Sequence, residues 1–171
     1  MKATAYPGRL ALPGFLLYLL FSGTISSFGQ EGKSAWKFES QRQAISPQSY
    51  LDHKVTFDGR PSLAVKGGGK DHAAGYWYRE VAAMPGTNYH FRTYFKSSLV
   101  DEPARSILAR VIWLDASGKL VGFREYPATL EKAKDGWSII EQSYRAPDGT
   151  KSARLELHYR WDGDGMVNFG E

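Results

Sequence analysis

Two strand-like stretches of this sequence each gather titratable and aromatic side chains on a single face. Over residues 89–96, alternation sends Tyr89, Phe91, Thr93 and Phe95 one way and His90, Arg92, Tyr94 and Lys96 the other. Over residues 152–161, Ala153, Leu155, Leu157, Tyr159 and Trp161 oppose Ser152, Arg154, Glu156, His158 and Arg160. If the two strands share a sheet, His90, Arg92, Tyr94, Glu156, His158 and Arg160 meet on one polar face, with Arg110 nearby. Arginine, glutamate and histidine supply directed donors and acceptors, and an aromatic ring supplies a flat apolar surface. Together they suit a polyhydroxylated ligand such as a sugar. The same face would also serve as a salt-bridged, solvated surface or as an interface to another domain.

Tyr76, Trp77 and Tyr78 are consecutive, so a strand cannot turn all three toward a core. Either Trp77 is inside with Tyr76 and Tyr78 outside, or the reverse, and whatever stays outside is a stacking candidate. The candidate ligand-binding set is therefore Trp77, Tyr78, Arg92, Tyr94, Arg110, Glu156, His158 and Arg160. Trp113, Trp137 and Trp161 are expected in the core.

Other chemistries find little support. The chain has no cysteine, which removes disulfides, thiolate metal sites and a thiol nucleophile. His53, His72, His90 and His158 show no zinc-ligand spacing. Calcium is the one ion left open, because Asp162 and Asp164 flank glycines in a loop, although Asp-Gly-Asp-Gly is also ordinary turn sequence. Glu125, Glu141 and Glu156 could serve as an acid–base pair only if the fold brought two together, and no Gly-x-Ser-x-Gly elbow occurs. The expectation is a chain without catalytic residues and without a cofactor.

The 171-residue chain suits one domain. Lys2 and Arg9 precede an apolar run over residues 10–21, and small residues at Ser27 and Gly29 fit a signal-peptidase site. Residues 1–29 are read as a signal peptide and residues 30–171 as the domain, with its last strand cut short. Secretion, or a place in the periplasm or cell envelope, follows; an uncleaved anchor is the alternative. Outside the leader, 20 basic residues face 18 acidic ones, too even a balance for nucleic-acid binding.

Within the domain, short runs of β-branched and aromatic residues alternate with turn signals such as Asp58-Gly59, Pro85-Gly86, Ser117-Gly118 and Asp148-Gly149. Strands are predicted over residues 35–39, 54–57, 62–66, 75–81, 89–96, 106–114, 120–123, 137–145 and 152–161, and from Met166 onward. The fold class is all-β, an antiparallel β-sandwich. The strand at 106–114 carries one charge, Arg110, among apolar neighbours on both faces, which predicts a central position.

Trp36-x-Phe38, Ser62-Leu63-Ala64-Val65 ahead of glycines, Gly75-Tyr76-Trp77, and Trp137 with Tyr144-x-Ala146-Pro147 resemble the galactose-binding-like jelly rolls, which include secreted carbohydrate-binding modules. That likeness implies a jelly-roll sandwich whose partner is a polysaccharide or cell-envelope glycan. Residues 104–119, Glu125-Tyr126-Pro127 and residues 155–161 also resemble the β-sandwich region ahead of the catalytic domain in some nitrilase-type carbon-nitrogen hydrolases. That second likeness implies an accessory domain docking on a C-terminal catalytic domain of the same protein, through its polar face or an open last-strand edge. The hydrolase family's Glu-Lys-Cys constellation has no cysteine to map onto here.

Overall fold

The computed structural model describes residues 35–132 and 134–171. The leader expected over residues 1–29 lies outside the described residues. Among the described residues, eleven strands run in the order β1 (Lys37–Glu39), β2 (Gln48–Phe57), β3 (Arg60–Lys66), β4 (Ala74–Ala82), β5 (Asn88–Ser98), β6 (Ile107–Leu114), β7 (Leu120–Glu125), β8 (Ala128–Lys132), β9 (Ser138–Arg145), β10 (Ser152–Arg160) and β11 (Met166–Gly170). One helical turn, α1 (Pro103–Ser106), leads into β6.

The strands form two sheets, β1-β4-β10-β6-β7 and β2-β3-β11-β5-β9-β8, in which every pair is antiparallel. Local chemistry sets the reversals. Asp58 and Gly59 both take positive φ, 49° and 73°, so the β2–β3 link is a two-residue hairpin whose twist matches its strands. The β-sandwich read from alternation and turn spacing is the fold observed.

The facing sides of the sheets enclose the core. Trp77 of β4, Leu157 and Tyr159 of β10, and Ile107 and Ala109 of β6 pack with Leu63, Val65, Phe95, Ile140, Val167 and Phe169 of the other sheet. A smaller cluster around Val111, Trp113 and Ala153 fills the other end. β6 is interior to its sheet, between β10 and β7, as its two apolar faces predict.

Three expectations change. Trp161 is 50% exposed rather than in the core. β10 ends at Arg160, and Trp161 takes φ 61°, which breaks the alternation and turns the ring outward between Arg105 and Arg160. β8 went unpredicted because its few residues after Pro127 carry a weak pattern. The open edge expected at the last strand is also not found over Met166–Gly170, since β11 lies between β3 and β5 and pairs with both.

The Asp162–Gly165 turn is held from within. Asp162 Oδ1 accepts the Gly165 amide at 2.7 Å, Oδ2 accepts the Asp101 amide at 3.1 Å, and the Tyr159 hydroxyl lies 2.8 Å from the carbonyls of both Asp162 and Gly165. Asp162 therefore spends its oxygens on the protein's own donors. Among the described residues, no three His, Cys, Asp or Glu side chains come together in a way that could hold a metal ion.

Candidate functional site

The outer face of the five-stranded sheet carries the polar constellation. Antiparallel register sets Glu156 of β10 opposite Tyr78 of β4 on one side and Arg110 of β6 on the other. His158 falls opposite Tyr76 and Leu108, and Arg154 opposite Glu80 and Ile112. Directly opposed residues share a face, so Tyr76, Tyr78, Arg110, Arg154, Glu156 and His158 form one patch.

Glu156 is the centre of the patch and is only 2% exposed. Its Oε2 accepts from Arg110 Nε at 2.7 Å and lies 2.8 Å from His158 Nε2. Its Oε1 forms an ion pair with Arg154 Nε at 3.1 Å, out of line for a hydrogen bond. Arg154 also donates to Glu39 Oε2 at 2.9 Å. Its guanidinium carbon lies 3.9 Å from the Tyr78 ring centroid. Tyr76 stacks on His158 with centroids 4.7 Å apart.

The electrostatics follow from that packing. Burial opposes ionisation of Glu156, but hydrogen bonds from His158 and Arg110 and the charge of Arg110 outweigh it and hold the carboxyl below its ordinary range. Burial pushes His158 down, and the Arg110 and Arg160 charges add to this against the opposing pull of Glu156. Because a carboxylate only accepts, His158 Nε2–H donates to Glu156, and the lowered pKa favours the neutral imidazole at neutral pH. Tyr76 is pushed up to about 12 by burial, then by the neighbouring Glu39 carboxylate, and keeps its hydroxyl proton.

Above this network lies an open cleft of about 800 Å³. Arg110, Ile112 and Arg154 line its base, Glu39 and Tyr76 one side, and Arg124 and Tyr126 the other. Rings and guanidinium groups held by a buried carboxylate can stack on a flat apolar surface and donate to hydroxyls. Glu156 itself is too enclosed to do more than orient them.

Of the residues singled out from the sequence, Tyr78, Arg110, Glu156, His158 and Arg160 share this outer face. Trp77 does not: it is 8% exposed, packs edge-on to Phe38 at 5.4 Å, and donates Nε1–H to the Ala64 carbonyl at 3.2 Å. Register turns Trp77 inward and thereby Tyr76 and Tyr78 outward. Arg92 and Tyr94 lie on β5, in the other sheet. There Arg92 and His90 pair with Glu141, and Tyr94 stacks on Phe57 with centroids 4.2 Å apart. The gathering of β5 and β10 required a shared sheet, which the strand order denies.

Arg154, Glu39 and Tyr126 join the site without having been singled out. Arg154 could have been found, because it shares the alternation of Glu156 and His158. Glu39 and Tyr126 could not, since strand order alone brings β1 and the segment after β7 beside the cleft.

No protein-family model and no curated protein matches the chain. Solved structures do. The chain is similar to the enzymatically active domain of bacteriophage CBA120 tailspike protein 4 at 14% identity and a TM-score of 0.55, covering 79% of this chain and 19% of that one. It is similar to the CBM22-1 xylan-binding domain of Paenibacillus barcinonensis Xyn10C at 12% identity and a TM-score of 0.52, covering 80% and 82% of the two chains. It is also similar to the C-terminal family 22 carbohydrate-binding module of Clostridium thermocellum Xyn10B, at 17% identity and a TM-score of 0.50, covering 84% and 86%. At such identities the shared property is the β-sandwich fold. These structures lend no support to a nitrilase-type parent.

Proposed function

We propose that this chain is an exported carbohydrate-binding module that lays a glycan across the outer face of the β1-β4-β10-β6-β7 sheet and does no chemistry on it. The observation that carries the reading is the buried Glu156, which fixes Arg110 and Arg154 beneath an open cleft beside the Tyr76 ring. A pyranose has an apolar face for a ring and hydroxyls for planar donors, and both are offered at adjacent positions. The likeness in fold to a xylan-binding domain and to a family 22 carbohydrate-binding module supports the same ligand class. Export rests on the leader composition at residues 1–29.

Glu156 is committed to two arginines and a histidine, and Glu39 of the cleft wall to Arg154, so neither carboxylate is free to act as an acid or base. Affinity electrophoresis through a panel of plant and bacterial polysaccharides tests the proposal. At least one gel is expected to retard the protein, and Tyr76→Ala or Arg154→Ala is expected to weaken retention about tenfold, or ~1.4 kcal/mol. A broad glycan array on which the folded protein binds nothing specifically would overturn it.

A further inference from the structure

One cation of the outer face stands outside the Glu156 network. Arg160 closes β10 opposite Ala74 of β4, about 13 Å beyond Glu156 on the same face at roughly 3.3 Å per residue. Among the described residues its hydrogen bond runs from Nε–H to the Arg105 carbonyl at 3.4 Å, which leaves the two outer nitrogens of the fork unspent. β1 traced back from Glu39 to Lys37 and β11 traced on from Met166 to Gly170 both lead away from this end of the sandwich.

The charges around Arg160 are of its own sign. Burial lowers its pKa, and the Arg110 and Arg105 guanidiniums lower it further, with Tyr126 opposing. Glu156 is taken by Arg110, Arg154 and His158, Glu39 by Arg154, and Glu102 by Arg105 at 3.8 Å. Glu80 and Asp115 lie at the other end of the cleft, opposite Arg154 and just past Leu114. Asp71, Glu102 and Asp164 line a separate pocket shared with Trp161 and Arg105, to which Arg160 does not contribute. Gathered cations of one sign concentrate an anion.

Trp161 holds the cluster in place. Its ring lies 4.1 Å from the Arg160 guanidinium carbon and 5.3 Å from that of Arg105, and half of it is exposed. Only the positive φ of 61° puts it there, a conformation that a bulky residue keeps when its surroundings impose it and that recurs at ligand clamps. Tyr126, also largely exposed, connects Arg160 to the cleft whose wall it forms.

We infer that the outer face ends in an anion subsite, where Arg160, backed by Trp161 and Arg105, takes a carboxylate or sulfate ester carried by the glycan. The inference rests on the glycan reading and narrows it to acidic polysaccharides. A planar guanidinium offers two parallel N–H donors to such a group, and stacking on Trp161 sets the plane of the fork, so a lysine cannot replace it fully.

Calorimetry at about 0.15 M salt, where long-range attraction is screened, compares three matched pairs: glucuronoxylan and polygalacturonate with their carboxyl-reduced forms, and dextran sulfate with dextran. At least one acidic polymer is expected to bind about tenfold or more tightly than its neutral counterpart, and which pair shows this separates carboxylate from sulfate. Arg160→Gln should abolish the preference and Arg160→Lys should weaken it several-fold. Arg145→Gln, the same charge change at an exposed position of the other sheet, should leave it intact. Neutral polymers bound as tightly as acidic ones would overturn the inference and leave the glycan reading standing. Equal losses in Arg145→Gln and Arg160→Gln would also overturn it, by reducing the preference to net charge. Binding to none of the six polymers would overturn it too, and the glycan reading with it once a broad glycan array is also silent.

Discussion

Arg154 Nε lies 3.1 Å from Glu156 Oε1 while its guanidinium carbon lies 3.9 Å from the centroid of Tyr78. One residue is thus held by a buried charge and by the face of a ring, with a further hydrogen bond to Glu39. Loss of the ring should free the guanidinium without unfolding the sheet, because Tyr78 is only half-buried. Tyr78→Ala is expected to lower melting by a few degrees yet weaken glycan retention several-fold, through a site that must be re-ordered on binding. Calorimetry with a retained glycan beside a thermal melt separates the two effects. Unchanged affinity would show that Arg154 needs no ring to hold it.

Glu156→Ala removes the one carboxylate that two partly buried arginines share. Breaking a buried ion pair by deleting one partner costs about 3–5 kcal/mol, because the surviving charges stay enclosed. For a domain of this size that corresponds to a fall in Tm of roughly 6–20 °C. Denaturant unfolding is the cleaner measurement. Glu156→Gln, which keeps an acceptor, should lose less.

Stability should fall in two stages as pH drops. His158 is depressed below its usual 6.5 in the folded state, so the unfolded chain takes up a proton first, and stability declines as pH falls through about that value toward the lower folded pKa. Glu156 is depressed below 4.5, so its contribution is present above that pH and is lost as pH falls further through its own folded pKa. His158→Gln should flatten the first stage and leave the second. Chemical unfolding at closely spaced pH values resolves them, and an unaltered upper stage in that variant would place its origin elsewhere.

Gly67 and Gly69 should behave differently although they are neighbours in one bend. A Cβ at Gly67 would overlap the backbone carbonyls of Gly163 and Asp162, which cannot yield without moving the Asp162 turn. Gly69 has φ 76° and open space around it, so alanine there meets only backbone strain. Gly69→Ala is expected to cost ~1 kcal/mol and Gly67→Ala ~3 kcal/mol or more. Equal losses on urea unfolding would mean that the turn yields freely.

The sequence by itself determined the sandwich and most of its strands, because alternation and glycine-rich turns act over a few neighbouring residues. Asp58-Gly59 needs nothing distant to make a hairpin, and Leu155, Leu157 and Tyr159 point inward wherever their strand lies. Composition also removed thiol chemistry outright. Tertiary structure alone decided which faces meet. Strand order put β5 and β10 in different sheets, separating Arg92 and Tyr94 from Glu156, and brought Glu39 to Arg154 across 115 residues of chain. It also settled Trp77 inward and Trp161 outward. The physical reason is that side-chain direction repeats locally along a strand, whereas sheet membership depends on pairing between segments far apart, for which a single chain of residues carries no local mark.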